Sequence, residues 1–361
     1  IGPGPFCAMH LADLGADVIA IERTASGESG APADGSVLNR GKRSVVADLK
    51  TAEGRELVLR LIEDADALIE GMRPGVMERL GLGPDVLQQR NPRLVYGRMT
   101  GWGQYGPLAQ AAGHDNNYIS LSGALYYNGA PSEPPSSAIT LVGDVGGGAL
   151  YLAIGLLSGI LNARATGKGT VVDAAITDGS AHMLQLLLAT RQKGLVTGVR
   201  GQNVHDSSHF FATYRCADGH FVTLGALEPQ FYALLLQKLG LAEDPRFARQ
   251  WDRQRWPELH RHFAELFASR TRAEWCALLE NTDVCFGPVL SPEEAAAHPH
   301  NVARGVYFES DRQLQAAPAP RFDGQARRPG PIPTPGQHTE EIAAILAGKD
   351  AHGLWHSPRA G

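Results

Sequence analysis

The stretch "GPGPFCAMHLADLGADVIAIER", residues 2–23, decides the fold class. Its opening Gly-Pro-Gly-Pro makes a turn, because proline fixes its own φ and lacks an N–H. Cys7, Met9, Leu11 and Leu14 then cluster on a helical face. "DVIAIER" follows as a short aliphatic run closed by charge, the pattern of a buried strand. Working outward, "RSVVADLKT", "DALIEG" and "RLVYGRM" read as further strands, and "AEGRELVLRLIEDA" as an amphipathic helix. Alternating strands and helices predict an α/β fold with a parallel sheet covered on both faces.

Beyond Asp144 a helix is expected to run to about Arg164, followed by a strand in "TVVDAAITDG" and a helix in "SAHMLQLLLATRQKG". "FATYRCADGHFVTLGA" predicts a hairpin around Asp218-Gly219. Three helical stretches come next: "PQFYALLLQKLG", "WPELHRHFAELFAS" and "RAEWCALLENT". The expected organisation is a large domain over 1–180, a linker over 181–210 and a small α+β domain over 211–300. A return linker and C-terminal segment over 301–361 pack on the large domain. The Pro/Gly-rich "APAPRFDGQARRPGPIPTPG" reads as extended chain, and Thr339 as the N-cap of a last helix.

With 361 residues, two domains are the natural expectation. A net charge of −5 gives no basic face for nucleic acid, and no nucleic-acid partner is expected. Cys7, Cys216, Cys276 and Cys285 form no C-x-x-C pair, so a disulfide framework or a zinc site is not expected, and the cytoplasm is the default location. The opening "IGPGPF" has no strand before its turn and reads as truncated, which leaves any preceding signal unjudged. Val145 to Ala163 contains no charged residue and approaches membrane-spanning length, but its five glycines and lack of flanking aromatic belts favour a buried core helix. No membrane association is expected.

Ligands of open α/β sheets bind beyond the carboxyl ends of the strands. Arg23, Arg43, Arg73 and Arg79 fall there, and the planar guanidinium fork suits phosphate. Taken singly, each also suits solvation or a helix C-terminus. "GPGP" is no G-x-G-x-x-G, and its prolines remove the donors that cradle a pyrophosphate, which disfavours a dinucleotide cofactor.

The candidate chemistry lies in "AGHDNNY" (112–118) and "LVGDVGGG" (141–148). His114 is suited to proton transfer near neutrality, and burial can tune Asp144 into the same range. If the fold brings them together they form an acid/base pair. Gly146, Gly147 and Gly148, read as a helix opening, would then offer N–H groups to a developing oxyanion. The plainer alternative is a structural hydrogen bond. His205 and His209 have metal-like spacing without an evident third ligand, and Ser207 and Ser208 lack a G-x-S-x-G elbow. His260, His262, His298 and His300 read as surface residues. Glu228, just before Pro229, reads as a helix-start acid.

The chain resembles family III CoA-transferases (the CaiB/BaiF group), and within them the acyl-CoA racemase branch. The resemblance is carried by "GPGPFCAMHLADLGADVIAIER", "LNRGKRSVVADLK", "LIEGMRPGVMERLGLGP", "RMTGWGQYGPLAQAAGHDNNYISLSGAL", "LVGDVGGGALYLAIGLLSGILNARATGKGTVVDAAITDG" and "YRCADGHFVTLGALEPQFYALLLQKLGL", in family order. It implies a Rossmann-like large domain, a small α+β domain and an interlocked homodimer with the active site between subunits. It implies that His114 and Asp144 are the two bases, with Glu228 supporting His114 across the interface and Asp115 behind them. By the same resemblance Arg23, Arg73 and Arg79, with the backbone at Ala47 and Leu49, hold the nucleotide of an acyl-CoA. CoA then belongs to the substrate, and no separate cofactor is expected. The implied reaction is interconversion of (2R)- and (2S)-2-methylacyl-CoA through an enolate. The alternative is CoA transfer between carboxylic acids with Asp144 as nucleophile. Transferases of the family generally lack a histidine at position 114, which favours the racemase. One departure stands out: where the racemases carry a Gly-Gly-Ala-Pro-aromatic run, this chain has "VHDSSHFF" (204–211).

Overall fold

The computed structural model describes residues 2–23, 36–310, 312–325 and 327–348. It divides into two compact units: 1–124, 138–183 and 316–361 form the first, and 125–137 with 184–315 the second. The second unit is wider than the 211–300 expected. It takes in most of the anticipated linker, because Val204 and Phe210 are buried in its core.

The first unit opens as the sequence predicts. Helix α1 (Pro3–Asp13) leads to β1 (Ile19–Glu22), which pairs in parallel with β2 (Arg43–Val46). Helix α2 (Ala52–Ile62) is capped by Thr51, whose hydroxyl accepts the Gly54 N–H. After β3 (Ala67–Glu70) come the short helices α3 (Val76–Arg79) and α4 (Pro84–Arg90), then β4 (Val95–Thr100). Helix α5 (Asp115–Ser122) begins at His114. A π-helical segment (Leu141–Ala149) runs directly into α6 (Leu150–Thr166), followed by β5 (Val171–Ala175) and α7 (Ile176–Met183). Strands β3, β4 and β5 form a parallel ladder. Among the described residues the parallel pairing is therefore present as a two-stranded and a three-stranded ladder.

Three local expectations are corrected. The strand in "TVVDAAITDG" ends at Ala175, and Ile176 opens α7, where the Thr177 N–H and hydroxyl both bond the Gly101 carbonyl. "SAHMLQLLLATRQKG" is not one helix; it breaks at Leu184, where α8 (Gln185–Gln192) begins the second unit's share of the chain. Thr339 does not cap α15 (Thr339–Ala347). Its hydroxyl accepts the Val46 N–H instead, and the Gly336 N–H bonds Ser44, so the C-terminal segment covers the free edge of β2.

The second unit holds α9 (Val204–Ser207), the predicted hairpin of β6 (Thr213–Arg215) and β7 (Phe221–Leu224), α10 (Pro229–Leu239), α11 (Trp256–Phe267), α12 (Arg272–Leu279) and β8 (Phe286–Val289). Helices α13 (Pro292–Ala297) and α14 (Pro299–Arg304) and strand β9 (Tyr307–Ser310) complete it; β10 (Gln313–Ala316) pairs with β9 at the boundary. The β6–β7–β8 sheet is antiparallel. Its core is aromatic: Tyr214, Phe247, Trp256, Phe263, Phe267 and Trp275 are all buried.

The apolar helix from Leu141 to Thr166 is long and apolar enough to cross a membrane by length and composition. The expectation of a buried core helix holds for one face only. Leu152, Ala153, Leu156, Gly159 and Ala163 are buried, while Ile154, Leu157 and Leu161 on the opposite face are 61%, 47% and 68% exposed.

Candidate active site

Within the first unit, His114, Asp115 and Asp144 come together. The backbone N–H of Asp144 donates to Asp115 Oδ1 at 2.7 Å. Asp115 is buried at the first turn of α5, and its Oδ2 has no hydrogen-bond partner among the described residues. His114 precedes it and is exposed; its N–H donates to Asn117 Oδ1, which fixes the start of the helix. The backbone of Gly2 also lies against Asp144, so near that a β-carbon there would sit 3.4 Å from Oδ2.

Asp144 lies in the first turn of the π-helix, whose i→i−5 pattern shows in the Val145 N–H bonding the Thr140 carbonyl. Such a wide turn is rare and costs packing, so neighbours must close the gap. Two glycines allow it. A β-carbon on Gly143 would stand 2.3 Å from Asp115 Oδ1, and one on Gly147 would stand 2.3 Å from Ser180 Oγ of α7. This corrects the reading of Gly146–Gly148 as the open end of a helix. They lie inside it, and Gly147 serves close contact with α7; at the open end, the Asp144 N–H is taken by Asp115.

The carboxyl of Asp144 is held above the ordinary carboxylate range, first by burial and then by the negative charge of Asp115, with His114 opposing. A carboxyl so tuned exchanges protons nearer neutrality than a solvated aspartate. Tyr118, one turn into α5, bonds the Gly113 carbonyl, packs edge-on against Trp102 and has its own hydroxyl raised by burial and by the Asp144 charge. The sequence assigns Tyr118 no role; its place one turn after His114 is the signal that could have found it.

The candidate phosphate ligands stand where strand topology puts ligands. Arg23, Ala47 and Leu49 directly follow the carboxyl ends of β1 and β2, and Arg73 and Arg79 follow β3. Arg23, Arg73 and Arg79 are exposed, and no side-chain hydrogen bond is made by them among the described residues. The Ala47 N–H is already bonded to the Glu22 carbonyl. Arg43 is not available in the same way, because it pairs with Asp17 at 2.7 Å.

Glu228 lies in the second unit, exposed at the N-terminus of α10, the helix-start position expected of it. His209 is fully buried, its Nε2 on the Tyr232 hydroxyl at 2.7 Å, and His205 packs edge-on against Phe211. Among the described residues no cluster of three or more His, Cys, Asp or Glu could hold a metal. His298 bonds Glu280 at 2.7 Å, so it is a structural residue. The departing run "VHDSSHFF" forms α9 and part of the second unit's core.

Comparison with known proteins decides the family. The profile described as CoA-transferase family III matches residues 1–339. The chain belongs to CoA-transferase family III. It is similar to the α-methylacyl-CoA racemase of Homo sapiens, with 44% identity over 346 residues, 95% of this chain and 89% of that protein. It is also similar to the α-methylacyl-CoA racemase of Mus musculus, with 42% identity over 347 residues, again 95% and 89% of the two chains. Among solved structures it matches a CaiB/BaiF family protein from Brucella suis with a TM-score of 0.80, 27% identity and 96% of each chain covered. The mixed α/β fold of this family III member is thus that of CaiB/BaiF structures.

Proposed function

We propose that the protein is an isomerase that interconverts the (2R) and (2S) forms of a 2-methylacyl-CoA. The observation that carries this reading is the hydrogen bond from the Asp144 backbone to Asp115, which ties the residue next to His114 to the residue whose carboxyl burial has tuned. One of the pair removes the C2 proton of the thioester, leaving an enolate. The other delivers a proton to the opposite face of C2, which inverts it. Each group ends in the protonation state in which the other began, so the reverse reaction needs no further reagent. CoA enters as part of the substrate, and proton exchange needs no other cofactor.

In this reading Arg23, Arg73 and Arg79 bind the phosphates of CoA, with the backbone at Ala47 and Leu49 beside its nucleotide. Asp115 positions the Asp144 turn. Glu228 supports His114 from a partner subunit, in an interlocked homodimer whose first unit is Rossmann-like. The exposed Ile154–Leu157–Leu161 stripe of α6 supports a second copy as its cover, since an apolar face of this kind is costly to leave in water. The same cover removes the need for a membrane. The protein would act in the cytoplasm.

A second reading, CoA transfer with Asp144 as nucleophile, is favoured by the family's own name. The two separate cleanly. Racemisation predicts that a single epimer of a 2-methylacyl-CoA becomes a mixture without any acceptor acid, and that His114→Ala stops this. Transfer predicts no inversion, an absolute need for an acceptor acid, and trapping of the acyl group by hydroxylamine.

A further inference from the structure

Across β3, β4 and β5, Glu70, Arg98 and Asp173 stand side by side in register. Arg98 is the odd residue of an otherwise buried, uncharged strand, and it is itself buried. Burial of a guanidinium is costly unless its fork is satisfied. Here Nη1 donates to Gln104 Oε1 at 2.6 Å and Nη2 donates to Glu78, while Nε makes no hydrogen bond among the described residues and has the Glu70 carboxylate 3.9 Å away. Each partner belongs to a segment the reaction needs. Glu70 accepts the Met72 N–H, the residue before Arg73. Glu78 immediately precedes Arg79. Gln104 begins the segment that runs to His114, and its N–H is held by Asp173. The same two segments meet again where Gln110 donates to the Pro74 carbonyl at 3.1 Å.

We infer that Arg98 is a positioning residue that sets the Arg73–Arg79 phosphate clamp by holding Glu78 and Gln104 with one rigid fork beside the Glu70 carboxylate. The inference rests on the proposed role of that clamp in binding CoA. A lysine at this position keeps the charge but supplies no planar fork, so it cannot hold Glu78 and Gln104 together.

The test measures binding of free CoA by calorimetry and, separately, KM and kcat with a 2-methylacyl-CoA. Arg98→Lys and Glu78→Gln are each expected to weaken CoA binding about tenfold, with KM rising in parallel and kcat within about twofold of wild type. Glu78 is partly exposed, so Glu78→Gln carries the test if Arg98→Lys does not fold. Folded variants that bind CoA as wild type does, or that lose kcat alone, overturn the inference. Wild-type protein that binds no CoA overturns the reading of the clamp as well, while CoA binding that falls in both variants without any racemisation upholds the clamp and sinks the proposed reaction.

Discussion

Asp115 has two separable effects on Asp144. Its Oδ1 accepts the Asp144 N–H, and its negative charge helps raise the Asp144 carboxyl after burial has done so. Asparagine at 115 keeps an acceptor and removes the charge. With the like charge gone, the Asp144 carboxyl ionises at lower pH. In the proposed mechanism, the direction that uses Asp144 as base is expected to show kcat/KM rising with pH as that carboxyl ionises. The acid limb of Asp115→Asn is therefore expected to move to lower pH relative to wild type, read from pH–rate profiles of each epimer separately. A limb that stays in place would show that burial alone tunes Asp144. At this scale the sequence was informative: "AGHDNNY" and "LVGDVGGG" name all three residues. It did not disclose Arg98, whose only signal is one charge inside "RLVYGRM".

The π-helix is the element on which the site depends. It is wide, and its contact with α7 leaves no room for a β-carbon at Gly147. Gly147→Ala must push against Ser180 Oγ and N, at 2.3 and 2.7 Å from the added atom, and is expected to cost about 1–3 kcal/mol of stability. Because α7 and the π-helix then separate, exchange activity should fall with it; thermal melting alongside the rate shows whether both move. An alanine variant as stable as wild type would mean that α7 yields freely. The glycine run was visible in the sequence, but its meaning was inverted. A glycine triplet before an apolar stretch reads as a helix opening, because sequence spacing does not show a segment widened to i→i−5 hydrogen bonds. Strands β1 to β5 and the β6–β7 hairpin were legible, since aliphatic runs and an Asp-Gly turn are local signals. The break at Leu184 was not, because apolar residues continue across it while the chain passes from one unit to the other.

At the scale of the molecule, the two units rest on different chemistry. The first packs helices on parallel ladders and carries the proposed proton-transfer pair. The second is an aromatic core around a buried histidine. His209 bonds the Tyr232 hydroxyl through Nε2, the Tyr214 hydroxyl donates to its carbonyl at 2.6 Å, and burial lowers its pKa to about 3. Unfolded, the same group titrates near its ordinary value of about 6.5. Between those two values the neutral form is favoured only in the fold. The stability it contributes is fully present above pH ~6.5 and is lost as pH falls from there towards 3, by about 1.4 kcal/mol per pH unit. Urea unfolding at pH 6.5 and 5 should show wild type losing on the order of 2 kcal/mol more than His209→Gln across that interval. Equal losses would mean that other groups drive the acid sensitivity. The domain bounds were the least legible feature, because the aromatic residues that bind 204–211 into the second unit lie far along the chain.

The central claim is that His114 and Asp144 exchange the C2 proton of a 2-methylacyl-CoA. Incubation of one epimer in heavy water, with deuterium at C2 followed by mass spectrometry, tests it most directly. The account predicts deuterium at C2 with wild-type protein and none with His114→Ala. Wild-type protein that binds the thioester yet leaves C2 unlabelled, or His114→Ala that labels it at the wild-type rate, would contradict it.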